Sequence, residues 1–226
     1  MDERESQLSA YKYNPSYYGV ENIVIRDISK ATPIKRLRLL DVGCNEGYFG
    51  EKLLQCDPDV ECHGIELDQK AAQKAALVYK SVQKTNLNVN KISELPFPTF
   101  DRVVFLDVLE HLINPQAVLQ DVKQVLANHA VVYVSLPNVA HFSIRIALLF
   151  GRFNYKKNGI LDRTHLHLYT VKSARELLES SGYTVVGEFY ASNRFGAVIR
   201  LFPFLGSVLG FNLILKAIPA SEQLSC

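Results

Sequence analysis

The chain has 226 residues, 48% of them hydrophobic and 21% charged, and its formal net charge is +2. This composition is typical of a globular protein and excludes a disordered chain, and the length predicts a single domain over residues 1–226. The small net charge excludes a strongly basic surface, so we expect no nucleic-acid partner. The four cysteines form no CxxC pair and the N-terminus lacks the apolar segment of a secretion signal, which favours a cytoplasmic protein.

Short apolar runs alternate with helical patterns along the first half of the chain, as in βαβ units that build a parallel sheet. Residues 103–106 are apolar at every position, as expected for a strand that is buried on both faces. The predicted strands are residues 38–42, 60–66, 87–92 and 102–107, and the predicted helices are residues 48–55 and 69–83.

The second half continues the alternation and then changes strand direction. Asn114 and Pro115 predict the start of a helix that runs to about Leu126, since Asn is a favoured N-cap and Pro suits the first turn. Thr170 predicts the N-cap of a further helix, which ends at Gly182. The remaining predicted strands are residues 130–136, 185–190 and 211–218, of which the last two are antiparallel.

Three segments do not fit the alternation. Residues 138–168 are too long for a plain loop in a compact domain, so we expect an inserted cover over the active site. Residues 191–210 form a second excursion, and residues 1–30 form an N-terminal extension. The apolar stretch 195–218 contains Arg200, a proline and three glycines, so we expect no membrane-spanning helix, while peripheral membrane contact and oligomer formation stay open.

The strongest local signal is the segment LLDVGCNEGYF at the end of the first strand. Gly43 and Gly47 let the backbone approach a ligand closely, and Asn45 between them is one of the few non-glycine residues that tolerate a positive φ. Glu66 ends the second strand about twenty residues later, where an acid can accept hydrogen bonds from a ribose diol. The pattern predicts a nucleotide-like cofactor, although the turn lacks the GxGxxG spacing of dinucleotide-binding proteins.

This segment resembles motif I of the class I methyltransferases that use S-adenosyl-L-methionine (SAM), usually written hhDhGxGxG, with Asp41, Gly43, Asn45 and Gly47 at its positions. The passages SELPFP, FDRVV and DVLEHL resemble later motifs of that family, in the same order along residues 37–138. The resemblance implies a Rossmann-like, doubly wound α/β fold with seven mostly parallel strands in the order 3-2-1-4-5-7-6. It also implies a SAM-dependent methyltransferase that releases S-adenosyl-L-homocysteine.

By this resemblance Glu66 is the ribose-binding acid. Family members often carry an aspartate that bonds the adenine amine where this chain has Asn90 and Lys91, so the adenine partner is left open. Tyr11 belongs to a tyrosine-rich stretch that either folds over the ligands or packs against the sheet edge. The predicted cofactor-binding residues are Asp41, Gly43, Cys44, Asn45, Gly47, Glu66, Leu67, Asp107 and Tyr11.

Candidate catalytic residues follow the fourth and fifth strands, because ligands of open α/β sheets bind beyond the carboxyl ends of the strands. Glu110 and His111 follow strand four, and His141 follows strand five. Histidine is the side chain most suited to accept a proton near neutral pH, so each histidine is a candidate base. His111 fits equally well as a residue that bonds nearby backbone and closes the pocket. The Glu–His pair is similar to that of ubiquinone-pathway methyltransferases.

Residues 137–170 contain PNVAH, GRFNY and GILDRTHL, and they resemble methyltransferases associated with bacterial polysaccharides and sugars. The resemblance implies a sugar, glycan or other small polar acceptor, and Asp162 and His165 join the catalytic candidates. These two residues also fit a salt-bridged hinge that holds the cover closed. His165 and His167 alternate near Asp162, which is only a weak metal pattern, so we predict no metal.

The predicted reaction is methyl transfer from SAM to a hydroxyl, or an amine, of such an acceptor. Two other functions stay open. One is methylation of a lipid-linked or quinone-like acceptor, for which residues 144–150 and 195–209 would line an acyl channel or touch a membrane. The other is SAM binding without catalysis. An NAD-type oxidoreductase is disfavoured by the missing GxGxxG spacing.

Overall fold

The computed structural model describes residues 19–30, 36–192 and 194–220. The strands are β1 (Arg38–Val42), β2 (Glu61–Glu66), β3 (Ser81–Lys84), β4 (Phe100–Leu106), β5 (Leu126–Pro137), β6 (Tyr183–Ala191) and β7 (Asn212–Pro219). They form one seven-stranded sheet in the order β3-β2-β1-β4-β5-β7-β6. Strands β1 to β5 are parallel, and β7 runs antiparallel to both of its neighbours. The predicted fold class and strand order are confirmed.

Helices cover both faces of the sheet. They are α1 (Val20–Lys30), α2 (Tyr48–Cys56), α3 (Gln69–Ala75), α4 (Pro115–Val122), α5 (Phe142–Leu149), α6 (Val171–Ser180), α7 (Gly196–Leu201) and α8 (Gly206–Leu209). Apolar residues of α4 and α6 pack on one face, around the buried strand β4. Residues of α1, α2 and α3 pack on the other face. Since β4 is covered on both sides, its continuous apolar run is explained by burial.

The predicted helix starts are confirmed in detail. The Asn114 side chain accepts a hydrogen bond from the Ala117 N–H at 3.0 Å, and Pro115 is the first residue of α4. Thr170 caps α6 through the N–H of Ser173, whose own side chain accepts from the Thr170 N–H. Both caps satisfy backbone donors that a helix start leaves without partners.

The predicted third strand is wrong. Residues 87–89 form a turn and Ile92 begins a 3-10 helix, whereas β3 consists of Ser81–Lys84, whose first three residues we predicted as the end of a helix over 69–83. That helix stops at Ala75, after which the Tyr79 side chain turns inward and is 5% exposed. The Lys80 N–H then donates to the Cys62 carbonyl at 2.8 Å, which starts the pairing of β3 with β2. Packing of one aromatic side chain therefore overrides the helical pattern.

The boundary between α4 and β5 also differs from the prediction. The helix ends at Val122, and a 3-10 turn covers Lys123–Val125. Leu126, predicted as the last helical residue, pairs with Phe100 in the sheet, so β5 begins four residues before the predicted position 130.

The three segments outside the alternation have regular structure in part. The expected extension contains α1, whose Val24 and Ile28 are buried in the core; Tyr11 lies outside the described residues. The expected cover begins with α5, which buries none of its residues. The second excursion folds into α7, a 3-10 turn and α8. Among the described helices, none has the length and hydropathy needed to cross a membrane.

Candidate active site

The turn after β1 is built on positive φ angles. Gly43 has φ 77°, Gly47 has φ 91° and Asn45 has φ 48°, as the sequence predicted for this corner. A Cβ on Gly43 would lie 2.5 Å from Cγ2 of Val108, so a side chain cannot fit there without displacing its neighbour. The Gly43 and Cys44 N–H groups both donate to the Ile65 carbonyl, which ties the turn to the end of β2.

Glu66 is held at the carboxyl end of β2 by backbone donors. Its carboxylate accepts from the N–H groups of Asn45, Leu67 and Asp68, each at 2.8 Å. Burial raises the pKa of this carboxyl, while the three donors oppose the increase. Three of roughly four acceptor positions of a carboxylate are therefore occupied, and one position remains for a ligand hydroxyl.

Asp41 lies below the turn and is only 2% exposed. Its carboxyl accepts a hydrogen bond from the Tyr79 hydroxyl at 2.5 Å, and the same hydroxyl accepts from the Gly50 N–H at 2.9 Å. Burial raises the pKa of Asp41 to about 7, and the Glu66 carboxylate adds to the increase. The structure therefore joins strand β1, helix α2 and the segment after α3 through one tyrosine that sequence reasoning did not identify.

Asp107 follows β4 in a left-handed conformation with φ 56°. Its Oδ1 accepts from the Ser135 hydroxyl at 2.6 Å and from the Asn212 side-chain amide at 2.7 Å. Burial raises the pKa of Asp107 to about 6, against the effect of these two donors. Ser135 and Asn212 were not predicted, because only the pairing of β5 with β7 brings them beside β4.

The structure brings together Glu110, His111 and His165. One ligand-type atom of each lies within 4.8 Å of the others, and the two histidine rings are 4.9 Å apart between centroids. Nδ1 of His111 faces the Thr164 carbonyl at 3.3 Å, and Nδ1 of His165 faces the Ile160 carbonyl at 3.0 Å. Two of the four predicted catalytic residues thus meet, one just after β4 and the other within residues 138–168.

Burial controls the protonation of this cluster. It lowers the pKa of His111 to about 4, and the neighbouring His165 ring lowers it further, whereas the Asp162 carboxylate opposes both effects. Burial also lowers the pKa of His165 and raises that of Glu110 well above its usual range. Glu110 is 1% exposed and neither of its carboxyl oxygens has a hydrogen-bond partner among the described residues. Burial therefore favours the uncharged form of all three groups.

The other two predicted catalytic residues have local structural roles. His141 is the N-cap of α5, and its Nδ1 contacts the Ser143 hydroxyl at 2.8 Å and N–H at 3.3 Å. Asp162 accepts from the N–H and the hydroxyl of Thr164, at 2.8 and 2.7 Å, and so shapes the turn that carries His165. The catalytic roles of both residues stay predictions.

Comparison with known proteins decides the family. A family model described as a methyltransferase domain matches residues 19–188. The chain belongs to this methyltransferase family. Among curated proteins, the mitochondrial ubiquinone biosynthesis O-methyltransferase of Bos taurus is 26% identical over 171 residues, which cover 70% of this chain and 45% of that protein. The corresponding enzyme of Dinoroseobacter shibae is 25% identical, over 58% of this chain and 53% of that protein. The methyltransferase chain therefore spans about half the length of these relatives.

Solved methyltransferases share the fold at low sequence identity. A SAM-dependent methyltransferase from Aquifex aeolicus superposes with a TM-score of 0.60 at 14% identity, covering 96% of this chain and 98% of that one. The carbon methyltransferase CurJ gives a TM-score of 0.61 at 20% identity, over 89% of this chain and 53% of that one. At these identities the superpositions show the shared fold, and the match over residues 19–188 shows the methyltransferase family.

The residues present fit SAM as the methyl donor. The turn over residues 43–47 presents backbone without side chains at Gly43 and Gly47, where a Cβ would meet Val108 or Ala75. The half-buried Glu66 carboxylate, fixed by three N–H donors, lies at the adjoining strand end. An adenosine moiety needs these two features, a close backbone approach and a fixed acceptor for a ribose hydroxyl.

Proposed function

We propose that the methyltransferase transfers the methyl group of SAM to a hydroxyl oxygen of its acceptor. The observation that carries this proposal is the buried cluster of Glu110, His111 and His165 just beyond β4, because a hydroxyl must lose a proton during methyl transfer. When bound, SAM supplies a methyl group that its positively charged sulfur already activates. The remaining tasks for the chain are to orient the acceptor and to accept its proton.

His111 is the group proposed to accept this proton. Its ring is neutral at neutral pH, because burial lowers its pKa to about 4. So low a pKa makes a weak base, so we expect proton removal to accompany methyl transfer rather than to precede it. The nearby Asp162 carboxylate favours the charged ring, and the Thr164 carbonyl holds its orientation. His165 and Asp162 are proposed to position His111.

The cofactor-binding assignments follow the sequence prediction, with one change. We propose that the turn from Gly43 to Gly47 faces SAM. Glu66 is proposed to accept a hydrogen bond from one ribose hydroxyl, and not from both hydroxyls of the diol, because three backbone donors already use its oxygens. Asp41 is proposed to support the turn through Tyr79. The proposed contacts of Cys44, Leu67 and Asp107 with SAM are predictions for mutagenesis.

The acceptor proposed from the sequence is a small polar molecule, a sugar or a glycan. A second candidate is a lipid-linked or quinone-like acceptor. Two observations favour it: relatives named ubiquinone biosynthesis O-methyltransferases, and exposed apolar residues on α5, of which Leu149 is 83% exposed. Both candidates place the methyl group on oxygen.

The test measures transfer of radiolabelled methyl groups from SAM to two panels of hydroxyl compounds, one of water-soluble sugars and phenols and one of lipid-linked equivalents. For any acceptor found, His111→Gln is expected to lower kcat about 100-fold or more, with affinity for S-adenosylhomocysteine unchanged. His129→Asn is the matched control, because His129 is exposed and has φ 63°, an angle that Asn tolerates. Full activity of His111→Gln would refute the assignment, and methylation of amines alone would refute the proposed function.

A further inference from the structure

Two segments of the chain that touch each other expose large apolar side chains. The first is α5 with the residues after it, where Leu149 is 83% and Phe150 is 74% exposed. The second is the segment of α7 and α8, where Leu201 is 74% and Phe204 is 75% exposed. The Phe142 and Phe195 rings join the segments edge to face, with centroids 5.5 Å apart. We call residues 142–157 and 194–209 the apolar-basic face.

The charges of this face are all of one sign. It carries Arg145, Arg152, Lys156, Lys157, Arg194 and Arg200, and it contains no aspartate or glutamate. The whole chain has 25 basic and 23 acidic residues, so this segregation is local and not a consequence of a basic composition. Exposed apolar residues interspersed with basic residues are typical of surfaces that lie on anionic bilayers, where long basic side chains reach the headgroups.

We propose that the apolar-basic face docks on an anionic lipid bilayer. Leu149, Phe150 and Phe204 would enter the headgroup region, while Arg152 and Lys157 would contact lipid phosphates. A symmetric contact between two copies of the face is disfavoured, because it would place basic residues opposite basic residues. The face begins next to His141, which follows β5, so docking would bring the carboxyl edge of the sheet near the bilayer. The proposal does not depend on which acceptor is methylated.

Vesicle sedimentation with the full chain tests this proposal without any assay of activity. Vesicles of phosphatidylcholine alone are compared with vesicles that contain phosphatidylglycerol. We expect binding to the anionic vesicles, little binding to the neutral ones, and loss of binding on going from low to high salt, because salt screens surface charges.

Variants assign the binding to the face. The double variant Leu149→Ser/Phe150→Ser is expected to bind anionic vesicles at least about tenfold more weakly, since two exposed apolar side chains no longer insert. Replacing Arg152 by Gln is expected to weaken binding to anionic vesicles about fivefold. The matched control is Leu77→Ser/Val89→Ser, which removes residues that are 86% and 78% exposed outside the face.

Three results would overturn the proposal. The first is a folded parent that does not bind anionic vesicles. The second is equal binding by the parent and by Leu149→Ser/Phe150→Ser, which would mean that another part of the chain carries the binding. The third is a parent that self-associates in the absence of lipid while Leu149→Ser/Phe150→Ser is monomeric in analytical ultracentrifugation, since the face would then be a contact between copies.

Discussion

Replacing Asp41 by Asn should change how the stability of the methyltransferase depends on pH. Asp41 is buried, and its pKa is raised by that burial from its usual 3.8 to about 7 in the folded protein. The folded state therefore binds this proton more tightly than the unfolded chain does, so the stability that Asp41 contributes is complete below about pH 4 and is lost as the pH rises to about 7. Asn cannot titrate, and its side-chain oxygen can still accept the hydrogen bond of Tyr79.

The magnitude follows from the width of this pH range. Within this range, each pH unit changes the unfolding free energy by about 1.4 kcal/mol. Between pH 5 and pH 8 the parent should therefore lose about 3 kcal/mol of unfolding free energy relative to Asp41→Asn. In thermal unfolding, this change corresponds to about 6–12 °C for a domain of this size. Urea titrations at several pH values measure it directly. Asp59→Asn, at an exposed aspartate, is the matched control. A parallel pH dependence of parent and Asp41→Asn would refute the reasoning.

Three further predictions concern single side chains. Thr170→Ala removes the capping box of α6 and should lower the unfolding free energy by about 1 kcal/mol, measured by urea titration. Gly43→Ala should weaken S-adenosylhomocysteine binding at least about tenfold in calorimetry, because its Cβ meets Val108. Gly19→Ala is the control, because Gly19 has a similar φ of 72° but a Cβ there would meet no atom within 4 Å. Equal losses of binding in Gly43→Ala and Gly19→Ala would contradict the argument. Asp107→Asn removes a carboxyl whose pKa is about 6. In the parent, the ratio of the affinity for cationic SAM to that for S-adenosylhomocysteine should therefore rise between pH 5 and 7, whereas in Asp107→Asn it should stay constant. An identical rise in both proteins would count against a cofactor contact at Asp107.

The sequence predicts well those strands in which consecutive apolar residues are buried. Strand β1 was predicted with its observed bounds, and the caps at Asn114 and Thr170 were predicted from local hydrogen-bonding chemistry. The edge strand β3 was missed, because Ser81–Lys84 is short and partly exposed and follows an alanine-rich helical pattern without a break. Its position depends on the inward turn of Tyr79, a tertiary contact that no local pattern encodes.

The candidate site likewise contains features that local sequence predicts and contacts between distant residues that it does not. The turn at Gly43 and the acid at Glu66 are local signals, and the structure places them side by side through the Asn45 N–H. The partners of Asp107 are not local, since Asn212 lies 105 residues further along the chain. Glu110 and His165 come together only because the segment 138–168 folds back, with the Leu166 N–H bonded to the Glu110 carbonyl at 2.8 Å. Sequence reasoning could name candidates there but could not select the pairs.

Burial raises the pKa of three acids, Asp41, Asp107 and Glu110, that lie at or just beyond the carboxyl ends of β1 and β4. Because β1 and β4 are neighbouring parallel strands, their ends meet at one edge, and the Asp107 carboxylate makes ionisation of Glu110 harder. Ionising such buried acids costs stability in the folded protein without ligand. A cationic ligand reverses this balance, because it favours the ionised acids. Asp107 is the one of these acids that we predict to contact SAM, so we expect the positively charged sulfur of SAM to favour its ionised form, and its burial to cost stability while no ligand is bound.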